Sequence, residues 1–169
     1  MAGNDMNFLN MISIVALVSL AAPLVWVRTA PSDVARWHVD PMEVERVPEA
    51  PRKGGWLVRT GPANAAPPIF DTDPATLLSA FDEIARATPR TRVLFESPAE
   101  GRVTYVTRSA WLGFPDYTSV KAVPEAGGAA LMIWARQRFG IADMGVNRKR
   151  VETWMGALEE RLPRRGAPT

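Results

Sequence analysis

Residues 91–136 read TRVLFESPAEGRVTYVTRSAWLGFPDYTSVKAVPEAGGAALMIWAR, and most of the predicted strands lie in this stretch. It contains four runs rich in β-branched and aromatic residues, at 91–96, 102–109, 117–123 and 129–136. The segment SPAEG separates the first two runs, and PEAGG separates the last two. Because proline and glycine in such segments reverse the chain, the pattern predicts two consecutive β-hairpins.

Two helical patterns flank these strands. Asp73 and Pro74 are suited to be the N-cap and the first residue of a helix that ends at Thr88. A second helix is predicted over 147–162, with one apolar face formed by Val151, Trp154, Met155, Leu158 and Leu162. The sequence thus predicts an α+β domain over 71–162, in which a small, mainly antiparallel sheet packs against two helices. A flexible tail over 163–169 is expected to follow.

The N-terminal region contains a long uncharged stretch. Residues 8–27, FLNMISIVALVSLAAPLVWV, would span a hydrocarbon core of about 30 Å as one helix. A cleaved signal peptide and a buried core helix are the alternatives. The preceding residues carry Asp5 and no Lys or Arg, and no clear cleavage site follows Ala22, so the pattern favours a retained anchor over 1–28.

Seven prolines lie in residues 29–70, with mixed charges and little periodicity. Proline fixes φ and removes a backbone donor, so this stretch is predicted to be an extended tether with one short strand, Trp56–Arg59. The segment around Trp37 and His38 is predicted to form a helical turn. We interpret both residues as packing residues, because a lone histidine without a partner is usually structural.

Composition limits the chemistry. The chain has 169 residues, no cysteine and one histidine, which excludes disulfides, thiol nucleophiles, zinc-thiolate sites and multi-histidine metal sites. No phosphate-binding glycine loop or nucleophile elbow is present. We therefore expect neither a cofactor nor an enzyme. The net charge of +2 does not suggest a nucleic-acid partner.

Basic charge is concentrated in residues 135–150, ARQRFGIADMGVNRKR, which carry five basic residues and one acid. Glycine, aspartate and asparagine in this stretch favour a specific turn, with Asn147 as cap of the last helix. The candidate binding residues are Arg136, Arg138, Asp143, Asn147, Arg148 and Arg150.

Three interpretations of this basic loop remain open. An arginine could pair with Asp143 or Asp116 and make the loop an internal clasp. Alternatively, several guanidinium groups and the amides of a helix N-terminus could bind a carboxylate or a lipid phosphate. Catalysis is the third and least favoured interpretation.

The same loop carries a family resemblance. IWARQRFGIADMGVNRKRVE, Ile133–Glu152, resembles the C-terminal signature of domain-of-unknown-function family 1499, and GFPDYTSVKAV, Gly113–Val123, resembles that family's preceding strand. Where relatives commonly carry serine, this chain has Ala135, Gln137 and Ala142, and the upstream cysteines of many members are missing. The resemblance implies an anchored α+β domain and no particular reaction.

We accordingly expect a non-catalytic, single-pass interaction module, an accessory or assembly subunit of a bacterial inner-membrane complex. Its partners would be other membrane subunits and the bilayer itself. The alternative is a domain that binds anionic lipid headgroups or another small anion at residues 136–150. Arg28, Arg36 and Arg46 favour a cytoplasmic domain by the positive-inside rule, whereas the cysteines of relatives imply the periplasm, which we prefer.

Overall fold

An antiparallel sheet forms the centre of the molecule. The computed structural model describes residues 2–47, 54–125, 127–140, 142 and 144–166. The strands are β1 (Gly55–Val58), β2 (Ile69–Phe70), β3 (Thr91–Ser97), β4 (Arg102–Arg108), β5 (Pro115–Glu125) and β6 (Gly128–Gln137). Their order is β1-β6-β5-β4-β3, and β2 also pairs with β6. Both predicted hairpins are confirmed, and β4 and β5 pair antiparallel as well.

Helices account for most of the remaining described residues. They are α1 (Ala2–Thr29), α2 (Val34–Trp37), α3 (Pro74–Ala87) and α4 (Val146–Glu159), with 3₁₀ turns at Pro41–Glu43 and Pro98–Glu100. The described part of α1 is long and apolar enough over Asn7–Thr29 to cross a membrane, and none of its apolar stretch is buried against the rest of the chain. The predicted α+β class with an apolar N-terminal helix is confirmed.

The main core lies between the sheet and helices α3 and α4. Asp73 caps α3 as predicted, accepting hydrogen bonds from the amides of Ala75 and Thr76 at 2.9 and 3.0 Å. The rings of Phe81, Tyr105 and Trp154 meet edge-on or tilted, with centroids 5.6–6.2 Å apart. Four of the five residues predicted for the apolar face of α4 are buried, namely Val151, Trp154, Met155 and Leu158.

The opposite face of the sheet is covered by residues 30–44, which we call the covering segment. Trp37 is buried and stacks on Tyr117 of β5, with ring centroids 4.0 Å apart and planes 10° from parallel. The sequence predicts an extended tether over 29–70. Instead, the covering segment packs on the sheet, and β1 and β2 extend the sheet beside β6. The described residues of 30–162, which we call the head, therefore begin directly after α1.

The start of α4 also differs from the prediction. Gly145, in the left-handed region with φ of 81°, occupies the N-cap position, and Asn147 lies inside the first turn with none of its surface exposed. Asn147 is too deeply buried to cap the helix from outside, and its side-chain amide donates to the carbonyl of Gly54 at 3.4 Å. The helix ends at Glu159, three residues earlier than predicted, and Leu162 packs against the core from the following turn.

Candidate functional site

Arg136 holds the covering segment to the sheet. It lies on β6 opposite Tyr117 and is 9% exposed. Its guanidinium donates to the carbonyl of Trp37, to the carbonyl of Trp134 at 3.0 Å and to Ser119 Oγ at 3.3 Å. The indole rings of Trp37 and Trp134 lie 5.4 and 5.7 Å from the guanidinium carbon.

Burial disfavours the charged form of Arg136. It lowers the pKa of Arg136 to about 10. No carboxylate of the described residues lies within ion-pair distance of this guanidinium. Carbonyl oxygens, a hydroxyl and two indole faces satisfy it instead. Among these acceptors the carbonyl of Trp37 belongs to the covering segment, so this hydrogen bond ties the segment to the sheet.

Arg138 makes a second tie on the same face of the sheet. Its guanidinium donates to the carbonyl of Pro31 at 2.8 Å and to the hydroxyl of Tyr117 at 3.3 Å, and it lies over the ring of Phe139. Arg138 directly follows β6, and both arginines bind the covering segment, Arg136 through the carbonyl of Trp37 and Arg138 through that of Pro31. Together we call these two residues the arginine clasp.

Arg150 acts on the other face of the sheet. It forms an ion pair with Asp116 of β5 at 2.9 Å and donates to Asn147 Oδ1 at 2.8 Å. The two charged side chains are only 11% and 15% exposed. Asp116 is one of the two predicted acid partners. The other, Asp143, lies outside the described residues.

Arg148 is exposed. It pairs with Glu152 one turn along α4 at 2.7 Å and lies over the ring of Trp56. The structure therefore divides the candidate residues between the two faces of the sheet instead of gathering them in one pocket. Arg136 and Arg138 hold the covering segment, whereas Arg150 and Asn147 fix the start of α4.

A polar network under the covering segment was not predicted as a site. His38 Nε2 accepts from Arg102 Nε at 3.1 Å, so its proton lies on Nδ1 and is donated to Thr104 Oγ1 at 2.9 Å. Ser97 Oγ lies 2.9 Å from the same Nε2. Burial and the charge of Arg102 lower the pKa of His38, which keeps the ring neutral near pH 7.

Asp40 anchors the far end of the covering segment. It is 7% exposed and pairs with Lys121 and, at 3.7 Å, with Arg102. Burial alone would raise the pKa of Asp40. The hydrogen bonds from Lys121 and from the amide of Met42, with the charges of Lys121 and Arg102, hold it below its ordinary value. Asp40 precedes Pro41, and the same Asp-Pro dipeptide starts α3. This sequence signal could have indicated the 3₁₀ turn at Pro41–Glu43.

An open cleft lies between α3 and the β3–β4 turn, with a volume of about 470 Å³. Its walls are mostly apolar and include Leu78, Val103 and Ala122. At its rim Asp82 pairs with Arg86, which also contacts Glu96. These charges satisfy one another and leave a mainly apolar concavity.

A family model described as "Protein of unknown function (DUF1499)" matches residues 31–158. The chain belongs to the DUF1499 family. The match begins at Pro31, whose carbonyl accepts from Arg138, so the covering segment is part of the DUF1499 unit.

No curated protein matches this DUF1499 chain. Among solved structures, the crystal structure of TTHA0849 from Thermus thermophilus is similar at 12% sequence identity and a TM-score of 0.32. The similarity covers 63% of this chain and 95% of that chain. A likeness of this size carries no argument about function.

Proposed function

We propose that this DUF1499 protein is a non-catalytic, membrane-anchored interaction module that serves as an accessory or assembly subunit of a bacterial inner-membrane complex. Residues 8–27 anchor it in the bilayer, and the head presents a folded surface to other membrane subunits. The observation that carries this proposal is the attachment of the head to the last turn of α1 without an intervening free linker.

Several contacts make this attachment. Arg28, in the last turn of α1, donates to the carbonyls of Trp111 and Leu112 at 2.6 and 3.2 Å. Ala30 is buried, and the carbonyl of Pro31 is bound by Arg138. A head held in this way keeps a constant position relative to the membrane, which suits a subunit that positions a surface for a partner.

The arginine contacts weigh against a free anion as the main ligand of the basic loop. The guanidinium groups of Arg136, Arg138 and Arg150 are engaged with carbonyls, hydroxyls or Asp116. A phosphate or carboxylate ligand would have to displace these partners, and leaving them unsatisfied costs about 1–3 kcal/mol for each buried group. The internal clasp therefore receives more support than the headgroup-binding alternative.

The pair Ser97 and His38 resembles a nucleophile and its base only in distance. A serine activated by histidine needs an imidazole that gains a proton readily. Here Arg102 donates to the same Nε2 and lowers the pKa of the ring, and Thr104 takes the orienting position that a carboxylate occupies in catalytic triads. We therefore include no reaction in the proposed function.

We infer that the head lies in the periplasm, as the cysteines of relatives imply. A protease-accessibility assay tests this assignment. Protease added to intact spheroplasts should digest a periplasmic head, whereas a cytoplasmic head would be digested only after lysis.

Purification of the full-length chain from native membranes in mild detergent tests the function. We expect a membrane protein to co-purify in constant stoichiometry and to cross-link to the head before solubilisation. A full-length chain that is extracted as a lone monomer, with no cross-linked neighbour, would overturn the proposal.

Two variants sharpen this experiment. Arg138→Gln removes the tie to Pro31, so it should reduce the yield of the cross-linked complex. Arg148 belongs to the same basic stretch, 135–150, but its contacts are exposed. Arg148→Gln should therefore leave that yield unchanged. Equal yields from the two variants would show that partner binding does not depend on the arginine clasp.

A further inference from the structure

Two large apolar side chains are exposed at the end of the head that contacts α1. Trp111 is 89% exposed and Leu112 is 42% exposed, both in the loop 109–114 between β4 and β5. Covering an exposed tryptophan removes a large apolar surface from water, which is favourable, so these two side chains form a candidate contact surface.

The loop that carries them is preformed. The amide of Ser109 donates to the carbonyl of Phe114 at 2.9 Å, and the amide of Phe114 donates back to Ser109 Oγ at 2.9 Å. Arg108 adds a bond to the carbonyl of Gly113 at 2.9 Å. These bonds hold the backbone from both sides, so Trp111 and Leu112 project from a closed loop.

This loop lies directly against the end of the anchor. Arg28 donates to the carbonyls of both exposed residues. Gly113 has φ of 72°, and a Cβ there would lie 2.9 Å from Arg28 Cγ. Glycine is therefore needed at this position both for its backbone conformation and for the close approach of the Arg28 side chain.

Aromatic rings continue this contact. The ring of Trp26 in α1 meets Phe139 edge-on at 5.4 Å, and Phe139 lies 6.2 Å from Phe114 at the base of the loop. Tryptophan is enriched at the level where a membrane helix leaves the hydrocarbon and enters the headgroups. Trp26 and Arg28 lie at the C-terminal end of the apolar stretch of α1, and the backbone of the loop is hydrogen-bonded to Arg28.

We propose that Trp111 and Leu112 insert into the interfacial layer of the bilayer that α1 spans, which gives the head a second membrane contact. This inference rests on the membrane anchor of the proposed function. The occupant is the boundary between lipid headgroups and acyl chains, a layer that apolar side chains of peripheral segments enter by about 5–10 Å. The contact is apolar, because Arg28 and Arg108 are engaged with carbonyls of the loop itself.

The absence of cysteine from the sequence makes the test clean. A spin label at Ala110→Cys retains both Trp111 and Leu112, and one at Ala99→Cys marks the 3₁₀ turn at the opposite end of β4. The full-length chain is reconstituted into nanodiscs of zwitterionic lipid. Collision rates with oxygen, which concentrates in lipid, and with a water-soluble nickel chelate are then measured for each label.

We expect the ratio of oxygen to nickel collisions to be several-fold higher at position 110 than at position 99. Adding Trp111→Ser and Leu112→Ser should lower the ratio at position 110 toward that at position 99, while circular dichroism shows an unchanged fold. Equal ratios at the two positions, in a chain that resists an alkaline wash of the membrane, would overturn the insertion alone.

Two other results are also informative. Release of the chain by the alkaline wash would overturn the anchor and the insertion together. A high ratio at position 110 that requires anionic lipid would overturn the apolar contact in favour of headgroup binding.

Discussion

The two faces of the sheet are covered in different ways. Helices α3 and α4 cover one face with apolar side chains such as Phe81 and Trp154, which are almost fully buried. The covering segment covers the other face with one stacked ring, Trp37 on Tyr117, surrounded by charged and hydrogen-bonded groups. We expect the first face to supply most of the stability of the head, whereas the second face joins the head to α1. We expect substitutions on the two faces to differ accordingly.

The largest effect is expected on the helix-covered face. Trp154→Ala removes a ring that contacts Phe81 and Tyr105 and an indole N–H that donates to Thr88 Oγ1 at 2.7 Å. It should lower the free energy of unfolding by about 3–5 kcal/mol, since truncating a buried Trp leaves a cavity. Denaturant titration of the full-length chain in micelles measures this change. A loss smaller than that of Trp37→Ala would contradict the proposed difference between the faces.

A smaller loss, about 2 kcal/mol, is expected for Trp37→Ala, because this ring packs in a smaller apolar cluster than Trp154 does. This variant should also detach the segment locally, which exposes the peptide bond after Arg36 to trypsin. Cleavage there should become faster in Trp37→Ala and stay at the wild-type rate in a variant of similar stability on the helix-covered face, such as Leu158→Ala. Equal cleavage rates would show that the covering segment does not open independently.

The third effect is expected from acid, which should loosen the face of the sheet under the covering segment. The pKa of His38 is below 6.5 in the folded chain because of burial and the charge of Arg102, with Arg136 acting in the same direction and Glu100 and Asp40 opposing. The unfolded chain therefore takes up this proton first. The contribution of the neutral His38 to stability is fully present above about pH 6.5. It is lost progressively as the pH falls from there toward the lowered pKa. His38→Asn should flatten this slope in unfolding titrations, and an unchanged slope would assign it to other groups.

The smallest effect is expected for Arg148→Ala. The side chains of its ion pair with Glu152 are 57% and 52% exposed, and such pairs contribute about 0.5 kcal/mol or less. Arg150→Ala should cost clearly more, because it leaves the largely buried carboxylate of Asp116 without this cation. Parallel denaturation curves for the two variants check this ranking.

The sequence predicted the helix-covered face well because its signals are local. Asp73 and Pro74 start α3 as expected, and the spacing of Val151, Trp154 and Leu158 identifies the buried side of α4. Turn residues between β-rich runs identify both hairpins. Each of these signals spans fewer than about twenty residues and follows a fixed period or cap rule.

The face under the covering segment could not be predicted in the same way. Ser119 donates to the carbonyl of Trp37, 82 positions away, and no periodicity in residues 29–70 indicates this contact. Thr104 and Ser119 would suit a solvent-facing side of a sheet equally well. For the candidate site, the pairing of Arg150 with Asp116 was one of two open choices. The role of Arg136 depends on a backbone carbonyl, which no sequence pattern displays.

Hydrogen exchange of the covering segment in the full-length chain, reconstituted into nanodiscs, tests whether this segment holds the head firmly to α1. The amides of Trp37 and His38 donate to the carbonyls of Asp33 and Val34 at 3.1 and 2.8 Å under the arginine clasp. We predict that these amides exchange much more slowly than in an unstructured peptide, and that Arg138→Gln accelerates them. Exchange at the rate of an unstructured peptide in the wild-type chain would show that the head is tethered loosely, contrary to this account.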